Sequence, residues 1–289
     1  MADIMLDIRK DRTPIIAGPH DNVFNGDVKI QLVIINYSIV YLVKSKKVAL
    51  IYLMSIEVLE NRETIGQTDD AIKQAVLHGL TGYINAGGRG VRLNSVLMPD
   101  PTLGISKALL PVGIPPVPLI NHHINKLRTA GITTIVAGVG DHTNVADHVH
   151  EVYAGHASIH VIGVKEQLGN GGDLVCAVRE HPEFFGNQVY ISNVDTMLDI
   201  DEVSLVATHD ANEADVTVAL TLNRGVPNEG AYYIGENGQV IYCGEAVMNT
   251  LPRDEAVARC AFRGSSTGAL VVEAKLLRDL SWSPEDGPL

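Results

Sequence analysis

The 289-residue chain is 46% hydrophobic and 19% charged, a composition typical of a globular protein rather than a disordered one. Its formal net charge of −12 argues against general binding to nucleic acids or anionic membranes, although a local cluster of Arg and Lys could still bind an anion. The three cysteines are widely spaced and fit neither a disulfide framework nor a zinc motif, and the first residues lack the apolar core of a signal peptide. We therefore expect a cytoplasmic protein with one large or two small domains.

Residues 1–82 are predicted to form a β-rich N-terminal extension whose role the sequence does not reveal. Two apolar runs, 32–43 and 48–59, are rich in β-branched residues and are separated by lysines, which predicts paired strands. Each run is shorter than the ~20 residues needed to cross a bilayer, and the net negative charge disfavours the alternative of a membrane-surface hairpin. A helix is predicted over 68–80. The segment could be an accessory domain or the contact surface of a homo-oligomer.

From Tyr83 to the end of the chain, predicted strands and helices alternate, as they do in α/β proteins with a mostly parallel sheet. The apolar runs and turn signals predict strands at 132–139, 159–164, 188–192, 216–222, 231–234, 240–243 and 270–272. Helices are predicted from Pro118 to Gly131, at 141–152, 171–179 and 201–209, and after Glu273. The domain boundary is accordingly placed between residues 82 and 83.

A glycine-rich stretch follows the first strand of this second region and contains Ala86, Gly87, Gly88, Gly90 and Arg92. Closely spaced glycines allow a tight turn whose backbone N–H groups can bind phosphate oxygens. Arg92 adds a planar charged group to this turn, and Lys107 adds a mobile point charge farther along the chain. The expected ligand of this stretch is therefore a polyphosphate.

The stretch resembles the opening signature of the sugar-1-phosphate nucleotidyltransferases, L-A-G-G-x-G-T-R-L, then P-K, L-L-P-V and K-P-L-I. The corresponding residues here are 85–93, the run Lys-Ala-Leu-Leu-Pro-Val from Lys107, and Pro118-Leu119-Ile120. Three residues depart from the signature: Val91 replaces a hydroxyl residue, Ser106 a proline and Val117 a lysine. The resemblance implies a Rossmann-like, three-layer fold, with Arg92 and Lys107 as catalytic residues and Ala86, Gly87, Gly88 and Gly90 at the nucleotide.

The run Asn193-Val194-Asp195 follows a later predicted strand and resembles the N-G-D segment of the same family. Strands of a parallel sheet place such residues at one common edge, where ligands bind. The resemblance implies that Asp195 is a catalytic residue and a Mg²⁺ ligand, because this hard cation prefers oxygen atoms and bridges proteins to phosphates. Asp199 and Asp201 are expected to cap the next helix instead.

Three further segments resemble the base and sugar sites of the family. The first, Glu166-Gln167-Leu168-Gly169-Asn170-Gly171, resembles the loop that receives the nucleobase, which implies roles for Glu166, Gly169, Asn170 and Gly171. The segments around Gly230, Glu245 and Thr267 resemble the sugar site, but Ala246 replaces the lysine that would hold the sugar phosphate. The family's second metal-binding aspartate has no counterpart before Leu289, so the chain is expected to be C-terminally incomplete in that respect.

The predicted reaction transfers a nucleoside monophosphate from a nucleoside triphosphate to a sugar 1-phosphate, releasing pyrophosphate. Two rival hypotheses stay open: a nucleotide- or sugar-phosphate-binding regulatory subunit without turnover, and a cytidylyltransferase for a non-sugar phosphate. The histidines between 142 and 160 could bind zinc, but a surface helix with solvated histidines is the favoured interpretation.

Overall fold

A computed structural model describes residues 30–35, 39–44, 47–52, 76–88, 106–163, 168–197, 199–222, 231–236, 240–243 and 251–284. The central element is a mixed sheet that has helices on both of its faces. The strands are β1 (Ile30–Ile35), β2 (Ile39–Lys44), β3 (Lys47–Tyr52), β4 (Leu80–Asn85), β5 (Pro111–Val112), β6 (Val117–Pro118), β7 (Thr134–Gly138), β8 (Ile159–Ile162), β9 (Gln188–Asn193), β10 (Val216–Leu222), β11 (Ala231–Ile234), β12 (Val240–Cys243) and β13 (Phe262–Glu273). The helices are α1 (Leu119–Ala130), α2 (Thr143–Val152), α3 (Gly169–Glu180), α4 (Glu202–Ala211), α5 (Arg253–Arg259) and α6 (Ala274–Asp279), with 3₁₀ turns at Lys107–Leu109 and Pro182–Phe184.

The main sheet has the strand order β3-β2-β1-β10-β13-β9-β4-β7-β8, and β11 and β12 extend it alongside β13. Strands β9, β4, β7 and β8 are parallel to one another, whereas β13 runs antiparallel to both of its neighbours, β9 and β10. The small strands β5 and β6 form a separate antiparallel pair. The predicted α/β fold with a mostly parallel sheet is therefore confirmed.

Alternate residues of the central strands bury opposite faces of the sheet, which makes the fold three-layered. Ile84 and Ile135 pack with α1, α2 and α4 on one face, whereas Tyr83 and Val136 pack with α3 and α6 on the other. Both clusters consist mainly of aliphatic side chains that are more than nine-tenths buried. The two helical layers hold the carboxyl ends of the parallel strands along one edge.

Several predicted elements differ from the observed ones in extent. The apolar run 32–43 is divided into β1 and β2, which pair antiparallel, and β2 pairs with β3 in turn. Strand β13 is twelve residues long rather than three, because its small polar residues interrupt the apolar pattern although they pair with β10 and β11. Helix α5 and the β5–β6 hairpin were not predicted. The predicted helix at 68–80 lies largely outside the described residues.

Other local predictions are confirmed. Strands β10, β11 and β12 span the predicted residues, and β11 pairs antiparallel with β12. Gly131 ends α1 in a left-handed conformation with φ of 101°, as expected for a glycine that follows a helix. Asp201 caps α4 by accepting a hydrogen bond from the backbone N–H of Ser204 at 3.2 Å.

Candidate active site

The candidate site begins where the parallel neighbours β4 and β9 end side by side. Their last residues, Asn85 and Asn193, are register partners, and Asn85 Nδ2 donates a hydrogen bond to Asn193 Oδ1 at 3.4 Å. The backbone N–H of Val194 donates to the carbonyl of Asn85 at 3.1 Å. The loops that leave these two strands therefore start in contact, as the parallel topology predicts.

The loop after β4 turns immediately, and its first residues are fixed by the backbone of the adjacent strand. The N–H of Ala86 donates to the carbonyl of Gly138 at 2.8 Å, and Ala86 is fully buried. Gly87 packs against backbone, since a Cβ added to it would lie only 3.0 Å from the nitrogen of Gly140. Ala86 thus stabilises the turn by packing into the core, and Gly88 lies beside the ammonium group of Lys107.

Lys107 approaches this loop from the 3₁₀ turn Lys107–Leu109. Ser106 caps that turn, because its Oγ accepts a hydrogen bond from the N–H of Ala108 at 3.3 Å. The serine that replaces the family's proline therefore has a local structural role. A Cβ added to Gly88 would lie 3.1 Å from Lys107 Nζ, so the missing side chain leaves room for the ammonium group.

Lys107 and Asp195 form the central charged pair of the site, with 2.6 Å between Nζ and Oδ2. The Asp195 side chain is 47% exposed and that of Lys107 is 18% exposed, so an incoming ligand can reach the carboxylate. Partial burial raises the pKa of Asp195, but the hydrogen bond and charge of Lys107 outweigh it and hold that pKa below its ordinary value. Asp195 is therefore a carboxylate at neutral pH.

The described part of the predicted nucleobase segment is the first turn of α3. Helix α3 begins at Gly169, whose φ of 77° is a left-handed conformation that favours glycine, and the N–H of Leu168 donates to Asp173 Oδ1 at 3.3 Å. The neighbouring Gly172 packs against the ring of Trp282, to which an added Cβ would approach within 2.9 Å. Gly172 therefore has a packing function. The base contacts of Gly169, Asn170 and Gly171 stay a prediction.

Thr267 is the described member of the predicted sugar site, and it lies inside the sheet. It is 3% exposed, and its Oγ1 donates to the carbonyl of Ala219 at 2.9 Å and accepts from the N–H of Ala269 at 3.2 Å. This geometry gives no support for a direct sugar contact by its hydroxyl group. The other predicted residues, Arg92, Gly90, Glu166, Gly230 and Glu245, lie outside the described residues.

The alternative of a zinc site among the histidines receives no support. Across the part of the chain that the structure describes, no three His, Cys, Asp or Glu side chains are grouped so that they could hold a metal ion. His148 Nε2 lies 2.9 Å from Asn121 Oδ1, and His160 stacks on Phe184 with 3.9 Å between ring centres. In the same described ranges, no helix is both long and apolar enough to cross a membrane.

Sequence reasoning missed a polar pair directly behind the Asp195 turn. His123 of α1 is buried, and its Nδ1 lies 2.8 Å from the Oγ of Ser192 in β9. Three residues farther along α1, Lys126 forms an ion pair with Glu202 at 2.7 Å. A polar His at a helix position that faces the core was the available signal, but the partner could be found only once the register of β9 was known.

Two comparisons with known sequences and structures extend this geometry, whereas no family model matches the chain. The bifunctional protein GlmU of Geobacter sulfurreducens is 26% identical over 166 residues, which are 57% of this chain and 32% of GlmU. The D-glycero-alpha-D-manno-heptose 1-phosphate guanylyltransferase of Campylobacter jejuni is 27% identical over 176 residues, covering 58% of this chain and 70% of that protein. The chain thus spans about a third of the length of GlmU.

Solved structures share the fold. A Bacillus anthracis protein assigned as a glucose-1-phosphate thymidylyltransferase, in complex with sucrose, aligns with a TM-score of 0.53 and 21% identity over 73% of this chain and 78% of its own. HddC from Yersinia pseudotuberculosis, in complex with GMP-PN, aligns with a TM-score of 0.52 and 20% identity, covering 70% of this chain and 80% of its own. Together these similarities support the sugar-1-phosphate nucleotidyltransferase family. The predicted similarity to these proteins and the predicted fold are thereby confirmed, and the parallel pairing of β4 with β9 explains why the charged pair lies at the carboxyl edge.

Proposed function

We propose that this chain transfers a nucleoside monophosphate from a nucleoside triphosphate to a sugar 1-phosphate. The observation that carries the proposal is the Lys107–Asp195 pair, which lies at the carboxyl edge of the sheet beside Gly88. An oxygen of the sugar phosphate attacks the α-phosphorus, the bond from that phosphorus to the bridging oxygen breaks, and pyrophosphate leaves. The attacking oxygen is already ionised, so the chain need not supply a general base.

Lys107 is proposed to stabilise the charge that develops on the α-phosphate and on the leaving pyrophosphate. Its partner Asp195 is half exposed, so a phosphate or a metal ion can compete with this ion pair. The amides of Gly87 and Gly88, with Gly90 and Arg92 beyond the described residues, are proposed to bind the triphosphate tail. Catalysis would then rest on positioning and on charge neutralisation.

The described residues fit a magnesium ion that is held largely by the nucleotide. Asp195 offers one accessible carboxylate, and Mg²⁺ is commonly bound by one or two carboxylates together with phosphates and water. When bound, the ion would supply charge neutralisation between Asp195 and the phosphates. The proposal therefore includes magnesium as the cofactor, a nucleoside triphosphate and a sugar 1-phosphate as substrates, and the cytoplasm as the location.

The direct test is a pyrophosphate-release assay with Mg²⁺ over a panel of nucleoside triphosphates and sugar 1-phosphates. Release that needs one triphosphate and one sugar phosphate together is the expected result, and the nucleotide-sugar should be identified by mass spectrometry. If no pair gives product although the protein is folded, the enzymatic proposal fails. A panel of alcohol and phosphonate acceptors with CTP separates the cytidylyltransferase hypothesis.

A second candidate is a nucleotide-binding subunit without turnover, which the departures Val91, Val117 and Ala246 from the family motifs favour. Each departure removes a hydroxyl or an ammonium group that would contact a phosphate. Calorimetric binding of a nucleoside triphosphate, with no pyrophosphate released for any acceptor, would select this candidate.

A further inference from the structure

Helix α1 is tethered to both ends of the segment that carries Asp195. At the start of that segment, His123 Nδ1 lies 2.8 Å from the Oγ of Ser192, three residues before Asp195. Both partners are more than nine-tenths buried, so water competes little for this hydrogen bond. Ser192 is paired with Ile84 and Ala269 in the adjacent strands, and the contact adds a side-chain restraint at the strand end from which the Asp195 turn departs.

The second tether lies at the other end of the segment. Lys126, one helical turn after His123, places its Nζ 2.7 Å from Glu202 Oε1. Glu202 is the first residue of α4 and is buried, and Asp201 before it caps that helix. The end of β9 and the start of α4 are therefore each contacted by a side chain of α1.

Between the helix and this turn there is a small pocket instead of closely packed side chains. Its lining comes from α1, β9 and the turn itself: His122, His123, Lys126, Leu127, Tyr190, Ser192, Met197 and Glu202. His123 Nε2 is buried there without a well-formed hydrogen bond. Burial, and then the charge of Lys126, lower the pKa of His123 to about 4, so the ring is neutral at pH 7. Val194 anchors the turn by its burial in the core, whereas the pocket leaves the side of the turn that faces His123 less tightly packed, so the hydrogen bond of His123 adds a restraint there.

We propose that His123 is a positioning residue for Asp195, acting through its hydrogen bond to Ser192. The inference rests on the proposed function, because it assigns Asp195 to the cation that accompanies the nucleotide. Mg²⁺ and Mn²⁺ demand short, well-directed bonds to carboxylate oxygens, and a displacement of about 1 Å can cost about 100-fold in rate. A half-exposed aspartate on a turn reaches that precision only if its strand end is held in place.

The test compares Ser192→Ala and His123→Leu, which break the bond, with His123→Asn, which keeps a polar atom at the position of Nδ1. Mn²⁺ affinity is measured by electron paramagnetic resonance in the presence of ATP, GTP, CTP, UTP or dTTP, and Mg²⁺ dependence is measured in the pyrophosphate assay. We expect Ser192→Ala and His123→Leu each to weaken Mn²⁺ binding about tenfold and to raise the Mg²⁺ needed for half-maximal rate similarly. The KM for the sugar phosphate should change less than twofold, and His123→Asn should restore most of the affinity.

A matched control exists at the opposite edge of the sheet, where His209 Nδ1 lies 2.8 Å from Thr217 Oγ1 and both side chains are buried. Thr217→Ala should lower the melting temperature, as Ser192→Ala does, but leave Mn²⁺ affinity unchanged. The double variant His123→Leu/Ser192→Ala should bind Mn²⁺ no more weakly than either single variant, because both changes remove one interaction.

Mn²⁺ affinities within twofold of wild type for Ser192→Ala and His123→Leu, or an equal loss for Thr217→Ala, would overturn the positioning role. Wild-type protein that binds Mn²⁺ with a nucleotide but releases no pyrophosphate would contradict the proposed function alone, and the Mn²⁺ comparison would still decide the role of His123. Wild-type protein that binds no Mn²⁺ with any of the five nucleotides would overturn both.

Discussion

The two edges of the central sheet use similar polar groups in opposite ways. At the carboxyl edge, Lys107 contacts a half-exposed Asp195 that has room for a ligand in front of it. At the amino edge, the Glu273 carboxylate accepts hydrogen bonds from His209 at 3.2 Å and from Gln188 at 2.9 Å, and His209 is 1% exposed. The half-exposed Asp195 carboxylate is accessible for ligand exchange, whereas the hydrogen bonds around buried His209 stabilise the fold.

The largest expected difference between the edges is in the rate. We predict that Asp195→Asn lowers kcat/KM for pyrophosphate release by about 1000-fold, because it removes the charge proposed to hold the metal ion. The matched variant at the amino edge is Asp210→Asn. In the wild type, Asp210 Oδ1 accepts a hydrogen bond from Gln188 Nε2 at 2.6 Å. Asp210→Asn should change kcat/KM less than twofold, and equal losses in the two variants would remove the distinction between the edges.

A second prediction concerns the charge of Lys107. In Lys107→Met the pKa of Asp195 should rise, since the hydrogen bond and charge of Lys107 are what lower it. The pyrophosphate-release rate should also fall, by about 100-fold, because the developing phosphate charge loses a cation. Carboxyl ¹³C shifts followed by NMR across the acidic pH range measure the first effect without any turnover. The control is Lys275→Met, which breaks an exposed ion pair with Asp279 on α6 and should alter neither quantity.

The third prediction moves to stability at the amino edge. Glu273→Gln should lower the free energy of unfolding by about 1–3 kcal/mol, because His209 loses its charged acceptor in a buried network. Burial raises the pKa of Glu273. The hydrogen bonds from His209 and Gln188 lower this pKa by more than burial raises it, so the pKa lies below its ordinary value of 4.5. The unfolded chain therefore binds more protons than the folded one just below pH 4.5, and stability falls as pH drops through the folded pKa.

Urea unfolding of Glu273→Gln at several pH values tests this sign. The wild type should lose stability steeply below pH 4.5, whereas Glu273→Gln should show a shallower acid limb over the same range. The pyrophosphate-release rate per folded molecule should be unchanged at neutral pH. An unaltered acid limb would show that Glu273 does not contribute to acid sensitivity.

The sequence was a good guide wherever local chemistry decides the structure. Gly131 ends α1, Asp201 caps α4, and the strand-end positions of Asn85 and Asp195 follow from apolar runs with clear limits. Prediction from the sequence failed where a residue far along the chain determines the local structure. The long β13 and the contact of His123 with Ser192 both depend on strand register, which apolar periodicity does not contain. Helix α3 begins at Gly169, two residues before its predicted start, with a φ of 77° that glycine adopts readily, and Gly172 packs against Trp282.

The smallest expected effect compares how the two edges tolerate an added methyl group. A Cβ at Gly88 would meet the flexible end of Lys107 at 3.1 Å, so the lysine can move aside. Gly88→Ala should therefore raise the KM for the nucleotide only about threefold and leave the melting temperature nearly unchanged, within the modest cost of overpacking a flexible site.

Gly186→Ala at the amino edge would place its Cβ 1.9 Å from the backbone oxygen of Gly79, which cannot move without displacing the start of β4. That variant should lose about 3 kcal/mol or more of stability. A large loss of stability in Gly88→Ala would show that the carboxyl edge is as tightly packed as the amino edge, and the argument that it is open to a ligand would then fail.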